Sequence, residues 1–246
     1  MDAYLELARW YDQLTGDVPY EQFADYYEAQ FRTRGKQVHT LLDFACGTGT
    51  LTCLLARRGY EMIAVDASPD MLMELSEKAG DPEISIPPLI LCQDGAGLDL
   101  NDVVDAAVCS LDGMNYLPAE EVQALFARLH LFIRPGGLLI FDINSPERLR
   151  SLDGQIFVDE TEEVLCLWRA EFDEEEHALF YGMDLFAREE EDLWRKSEEE
   201  HVEYAHAPEW LEQQLAAAGF VKIEIDWNGP QKEQGRVFLV AENTGH

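Results

Sequence analysis

"LLDFACGTGTLT", Leu41 to Thr52, decides how the rest of the chain is read. An apolar run ends on Asp43 and breaks into a loop of small residues with Gly47 and Gly49, after which a second apolar run begins. Strand, glycine loop and helix in that order bring backbone close to a ligand and turn the first N–H groups of the helix toward it. Dinucleotide folds use the spacing GxGxxG, whose third glycine lets helix and strand pack together. Counted from Gly47, that place is held by Thr52; counted from position 45, the loop is a tighter Ala45–Gly47–Gly49. The dinucleotide pattern fits poorly.

Two acidic residues extend the reading. Asp66 ends the next apolar run, "IAVDAS", 19 residues after Gly47. A carboxylate there can accept both hydroxyls of a ribose, whether the ligand is NAD or another adenosyl compound. Asp94, in "LCQDGAGL", follows the third run, where it could accept from an adenine amino group. Together they describe a site for an adenosyl group without a pyrophosphate.

From Val38 onward, short apolar strands alternate with helices. The strands are expected at Thr40–Phe44, Met62–Val65, Leu89–Cys92, Ala106–Ser110 and Leu138–Ile143, the helices near Leu51–Arg58, Pro69–Ala79 and Ala119–Leu131. This rhythm predicts an α/β fold with a parallel sheet covered on both faces. "RPGG", Arg134–Gly137, is expected to stop the third of these helices. Residues 1–35 carry apolar and aromatic residues at three-to-four spacing and read as a helical segment in two parts, split at Gly16 and Pro19. Residues 151–205 break the rhythm: 19 Asp and Glu face four Lys and Arg, and the hydrophobic period becomes two. That predicts an inserted antiparallel meander with one apolar face and one solvated acidic face. A helix in "APEWLEQQLAAAGF" and two strands, "VKIEIDW" and "GRVFLVAEN", then restore the α/β pattern, so the 246 residues are read as one domain.

The formal net charge of −31 disfavours a nucleic-acid substrate, since no basic stripe is present to release counterions. No apolar run approaches the roughly 18 residues of a membrane span. The N-terminus lacks the basic and apolar regions of a secretory signal. Five scattered cysteines read as reduced thiols of a cytoplasmic protein, with no disulfide framework and no metal site.

The ordered set "LLDFACGTG", "VDASPDML", "QDG", "CSLDGMNYL" and "RPGGLLIFDINS" resembles the class I S-adenosylmethionine-dependent methyltransferase family, closely over residues 36–145. The resemblance implies a Rossmann-like seven-stranded sheet with its last strand antiparallel, and S-adenosylmethionine as methyl donor with S-adenosylhomocysteine as product. It implies that Asp43, Ala45, Cys46, Gly47 and Gly49 hold the methionine part, with Asp43 near its amino group and the Ala45 methyl beside the tail. Asp66 would take the ribose hydroxyls, Ala67 and Met71 would pack on adenine, and Asp94 and Gly95 would line its edge. Leu111 would sit by the sulfonium. The N-terminal "YDQLTGDVPY" and the meander resemble a small-molecule subgroup that includes amino-sugar N,N-dimethyltransferases and, more distantly, glycine N-methyltransferase. In that subgroup an N-terminal tyrosine and the inserted sheet close over the substrate, which makes residues 1–35 a lid and Tyr11 and Tyr20 its candidate tyrosines. The Asn/Asp-Pro-Pro-Tyr/Phe motif of amide- and base-nitrogen methylating enzymes is absent, "SLDGMNYL" standing in its place.

The expected reaction is methyl transfer to a small-molecule amine or hydroxyl by in-line displacement, in which positioning carries most of the catalysis. Asp112, Asn115 and Tyr116 stand where an acceptor would be oriented, although Asp112 and Asn115 read equally as turn stabilisers and Tyr116 reads more readily as a packing residue. Trp168, Tyr181 and Trp194 read as core more readily than as substrate walls. His201, His206, Glu174–Glu176 and Glu198–Glu200 read as solvated. An NAD-dependent oxidoreductase and a non-catalytic S-adenosylmethionine-binding protein are the alternatives, and the inserted sheet is a candidate homodimer surface.

Overall fold

A computed structural model describes residues 6–190 and 193–245. The expected α/β rhythm folds into β1 (Thr40–Phe44), α3 (Thr50–Arg57), β2 (Glu61–Asp66), α4 (Pro69–Lys78), β3 (Leu89–Cys92), β4 (Val104–Cys109), α5 (Ala119–Phe132) and β5 (Ile133–Asn144). They are preceded by α1 (Tyr11–Leu14) and α2 (Tyr20–Thr33), and the chain closes with α7 (Pro208–Ala217), β10 (Phe220–Asp226) and β11 (Arg236–Asn243). The strands form one seven-stranded sheet in the order β10-β11-β5-β4-β1-β2-β3. Only β11 runs antiparallel to its neighbours. The order reverses between β1 and β4, so the loops leaving their carboxyl ends diverge and open a crevice there.

β1, β4 and the middle of β5 are buried on both faces, as continuous apolar strands of a parallel sheet should be. One face packs Leu42, Val65, Ala107 and Phe141 against Leu125, Phe126 and Leu129 of α5 and Leu211 and Leu215 of α7. The other packs Leu41, Ala64, Val108 and Ile140 against α3, α4 and Phe23 and Tyr27 of α2. Phe23 and Tyr27 are fully buried, so α2 forms part of the sheet's covering layer, with Tyr20 at its first turn.

"RPGG" does not end α5. Ile133 is already extended and pairs with Val104, and the motif forms a bulge within β5 before Leu138 pairs with Ala106. Pro135 has no N–H to give the ladder, and a Cβ on Gly137 would lie 2.5 Å from the Asp105 carbonyl.

A short helix, α6 (Pro146–Ser151), enters the insertion, which sequence reading did not anticipate. Its start carries the usual marks: Ser145 accepts from Arg148 N, and Pro146 occupies the first turn. The insertion is a separate antiparallel sheet, β6 (Ile156–Glu160), β7 (Val164–Asp173), β8 (Ala178–Glu190) and β9 (Leu193–Tyr204), in sequential order. The acidic "EEED" leading into β9 ends on Glu191 and Asp192, which lie outside the described residues. Leu7 and Trp10 pack on Val164, Cys166, Met183 and Leu185, so the N-terminal segment of the same chain covers part of the apolar face of the inserted sheet. Among the described residues no helix is long and apolar enough to cross a membrane.

Candidate active site

The crevice at the carboxyl ends of β1, β2 and β4 is a cavity of about 450 Å³. Its walls bring together Asp43, Ala45, Cys46 and Gly47 from the first loop, Asp66, Ala67 and Met71 after β2, Asp94 and Gly95 after β3, Leu111 and Tyr116 after β4, and Tyr11 and Tyr20 from the N-terminal segment. Gly49, Asp112 and Asn115 are not on its walls.

The first loop is shaped by left-handed backbone. Ala45 has φ 55°, Gly47 55° and Gly49 72°. This overturns the reading of Ala45 as a small residue accepted for its methyl alone, because the position calls for a conformation that glycine adopts at no steric cost. Gly49 is fixed twice over, since a Cβ there would lie 2.1 Å from the Leu75 side chain of α4. Around Gly47 nothing lies within 4 Å of such a Cβ, which leaves the loop open to a ligand. Asp43 is buried and accepts from Thr52 Oγ1 at 2.5 Å. Thr52, where the third glycine of a dinucleotide site would stand, thus holds a carboxylate in place. Burial pushes Asp43 up to about 7, the Thr52 bond pulling the other way and the Asp66 charge adding to the rise. Asp66 accepts from Gly47 N at 2.8 Å and Ser68 N at 2.9 Å, and is also raised, by burial first. Asp94 accepts from Gly97 N at 2.6 Å.

The loop after β4 is built from side chains of its neighbours. Leu111 and Asp112 are consecutive residues with φ 56° and 60°. Fully buried Asp142 of β5 accepts from both of their N–H groups, at 3.0 and 3.1 Å, and pairs with Arg236 of β11. Arg236 donates to Asp112 as well, at 2.8 Å. Burial alone would lower the Arg236 pKa, but the two carboxylates more than offset it and keep the guanidinium charged. Gly113 lies where the two loops meet: a Cβ there would stand 2.8 Å from that of Ala45. Asn115 is fully buried; its Oδ1 accepts from Asn144 N at 2.9 Å, and its Nδ2 donates to Asn144 O and Tyr204 O. Its side chain ties the end of β5 to the end of β9.

The inserted sheet corrects a further expectation. Glu199, His201 and Glu203 alternate along β9 and are all buried, so its inner face carries charge. Glu199 Oε1 accepts from Glu6 N at 2.7 Å and Leu7 N at 3.0 Å, which secures the N-terminal segment, and Oε2 stands 3.4 Å from His201 Nε2. His201 lies against Trp168 and edge-on to Tyr116 at 6.2 Å, and Trp168 meets Tyr181 at 5.9 Å. Glu203 accepts from Asn144 Nδ2 at 2.9 Å, and burial followed by the Asp112 charge raises its pKa. His206 is buried and lowered by burial; its Nε2–H donates to the Leu117 carbonyl at 2.8 Å. Glu174–Glu176, Glu198 and Glu200 are exposed, as expected, and Trp194 is exposed beneath Arg188, away from this wall.

A family model described as a methyltransferase domain matches residues 41–137. A candidate methyltransferase of Geobacillus sp. (strain WCH70) is 28% identical over 247 residues, covering 98% of this chain and 99% of that one. The crystal structure of an S-adenosylmethionine-dependent methyltransferase from Clostridium acetobutylicum ATCC 824 aligns with 99% of this chain and 100% of its own, at 27% identity and a TM-score of 0.84. Residues 41–137 are a methyltransferase domain, and the chain is an S-adenosylmethionine-dependent methyltransferase. The sugar N-methyltransferase KedS8 from Streptoalloteichus sp. ATCC 53650 shares the methyltransferase's fold, with a TM-score of 0.82 at 23% identity over 99% of this chain and 95% of that one.

The methyltransferase's cavity fits its donor by the chemistry of its walls. A loop open at Gly47 and three carboxylates, Asp43, Asp66 and Asp94, offer acceptors suited to an ammonium, two ribose hydroxyls and an adenine amino group. Sequence reading missed Phe44, Ser68, Gln93 and Leu117 on the cavity wall, Asp12 bonded to Thr48 of that wall, and the burial of Glu199 and Glu203 on β9. Ser68 had a visible mark, since it caps α4 ahead of Pro69. Glu203 had none, one glutamate among many.

Proposed function

We propose that this methyltransferase acts on a small-molecule acceptor bearing an amine or a hydroxyl, held between the cofactor cavity and the inner face of the inserted sheet. The observation that carries this reading is the wall of Tyr116, His201, Trp168 and Tyr181, which runs from the cavity edge onto the inserted sheet. Aromatic faces with polar tips suit a small polar molecule. Fold likeness to a sugar N-methyltransferase supports the reading, and the acidic surface opposes a polyanionic substrate. Tyr11 and Tyr20 of the N-terminal segment would close the chamber.

S-adenosylmethionine, when bound, supplies a methyl group already activated on a sulfonium. Asp43, Gly47, Asp66, Met71 and Asp94 would hold it, with Leu111 near its reacting end. What remains for the chain is to exclude water, align the acceptor and, for an amine, receive a proton. Alignment alone supplies several kcal/mol in such displacements.

The test is formation of S-adenosylhomocysteine with a panel of small amines, alcohols and thiols, against RNA, DNA and protein. Turnover is expected with an amine or alcohol. Turnover confined to thiols or macromolecules contradicts the proposal.

A further inference from the structure

We propose that Glu203, with Asp112 beside it, takes the proton from the acceptor, and that the acceptor is therefore an amine held as its ammonium. The inference rests on the small-molecule reading above and goes further in naming the acceptor's class and the residue that serves it.

The placement of Glu203 is the first argument. It is 5% exposed on the inner face of β9, where its carboxyl is held by Asn144 Nδ2 at 2.9 Å and by the Tyr181 hydroxyl, both neutral groups. Asn144 is itself locked by Asn115 through both of its backbone groups, so the carboxylate is aimed by a fixed scaffold. Tyr181 of β8 is the neighbour that joins Glu203 to the Trp168, His201 and Tyr116 wall of the acceptor chamber.

Charge is the second. Asp112, Asp142 and Glu203 share one nearby guanidinium, that of Arg236, and it is committed to the first two. The cluster carries more negative charge than its cation balances. A buried carboxylate without a cation is costly, and it avoids that cost by holding a proton. Its pKa is raised accordingly, by burial first and the Asp112 charge second, with Asn144, Arg236 and Tyr181 pulling the other way. Arg148 of α6 acts on Tyr181, and Tyr11 from the N-terminal segment faces Asp112 and Arg236. A third observation points to a ligand: Arg236 is 8% exposed, and its Nε–H has no hydrogen-bond partner among the described residues. A hydroxyl or other acceptor atom of the bound molecule would complete it.

The chemistry follows. On binding, the ammonium replaces the proton that Glu203 holds, which leaves to water. The ion pair so formed then passes one proton from nitrogen to the carboxylate, leaving a neutral amine and a carboxylic acid. The nitrogen lone pair then forms the new N–C bond as the C–S bond breaks, and that bond's electron pair stays on sulfur. The positive charge passes to the methylated nitrogen, and Glu203 releases its proton to water as the product leaves. A carboxylate, even one raised in pKa, is too weak a base to take the proton from an alcohol, so this arrangement favours an amine.

The test uses the full chain with S-adenosylhomocysteine bound and its glutamates labelled with ¹³C at the carboxyl carbon. The resonance lost in Glu203→Gln identifies Glu203. Its midpoint is expected above those of exposed glutamates, lower in Asp112→Asn, and lowered by about half a unit or more with methylammonium chloride. Potassium chloride at equal ionic strength and methanol should leave it in place. No movement with methylammonium, or equal movement with potassium, overturns the proposal. In turnover with amines, Glu203→Gln should lose about a hundredfold or more in kcat with S-adenosylhomocysteine affinity retained. Equal turnover by Glu203→Gln and parent also overturns it, whereas failure of the parent with every small acceptor overturns the small-molecule reading instead.

Discussion

Ala45 shows how one residue can be read correctly for size and wrongly for backbone. Its methyl was expected to fit beside the cofactor, yet at φ 55° the residue holds a conformation that costs an L-amino acid about 1–2 kcal/mol. Glycine would relieve that strain and forfeit about 0.5–1 kcal/mol of chain entropy. Ala45→Gly is therefore expected to raise stability by about 0.5–1 kcal/mol in urea unfolding; a loss of more than that shows that contacts of the methyl outweigh the strain. Leu111 and Asp112 hold the same conformation without glycine, because Asp142 and Arg236 grip them. Arg236→Met strands two buried carboxylates and should cost about 3–5 kcal/mol, read from the same unfolding curves. A cost below 1 kcal/mol contradicts the network described here.

Between elements, the N-terminal segment is tied to both the cofactor loop and the inserted sheet. Asp12 of α1 accepts from Thr48 at 2.6 Å and Thr50 at 3.1 Å and pairs with Lys78 of α4. Glu199 of β9 holds Leu7 N. Asp12→Ala should loosen S-adenosylhomocysteine by about tenfold in calorimetry while the melting temperature changes little, since the contact is at the surface. Unchanged affinity would mean that α1 is not part of the cofactor's enclosure. These ties were illegible in the sequence for a definite reason. Glu199 and Glu203 belong to an acidic run whose members at 198 and 200 are exposed, and only the register of β9 turns the alternate residues inward. The sheet of the α/β core was legible because its strands are buried on both faces and announce themselves as apolar runs. The cofactor loop was legible because its glycines and carboxylates lie within a few residues of strand ends. The proposed acceptor side was not, since its residues Asp112, Asn144, Glu203 and Arg236 are far apart in the chain.

Across the whole molecule, burial and charge act on stability in one direction. Asp43, Asp66, Asp112 and Glu203 all have raised pKa values in the fold, Asp43 to about 7. A carboxyl raised above its unfolded value binds more protons when folded, so its contribution is full below about pH 4 and is lost as pH rises through the folded value. The net charge of −31 adds self-repulsion that grows over the same range. Asp184 and Glu242 are shifted down by Arg169, Lys196 and Lys36, but these pairs meet solvent and oppose the trend weakly. The ligand-free protein is expected to melt higher at pH 5.5 than at pH 8 in scanning calorimetry. A higher melting temperature at pH 8 contradicts the buried, protonated carboxylates. Cofactor affinity should run the other way, strengthening from pH 6 to pH 8 as Asp43 ionises to meet an ammonium.

The central claim, an adenosylmethionine site built on the Gly47 loop and Asp66, is tested most directly by titrating S-adenosylhomocysteine into the protein at pH 8 in a calorimeter, beside Asp66→Ala. The account predicts one molecule bound per chain by the parent and at least about tenfold weaker binding by the variant, as expected for loss of a carboxylate that accepts two ribose hydroxyls. No binding by the parent, or equal binding by Asp66→Ala, would contradict it.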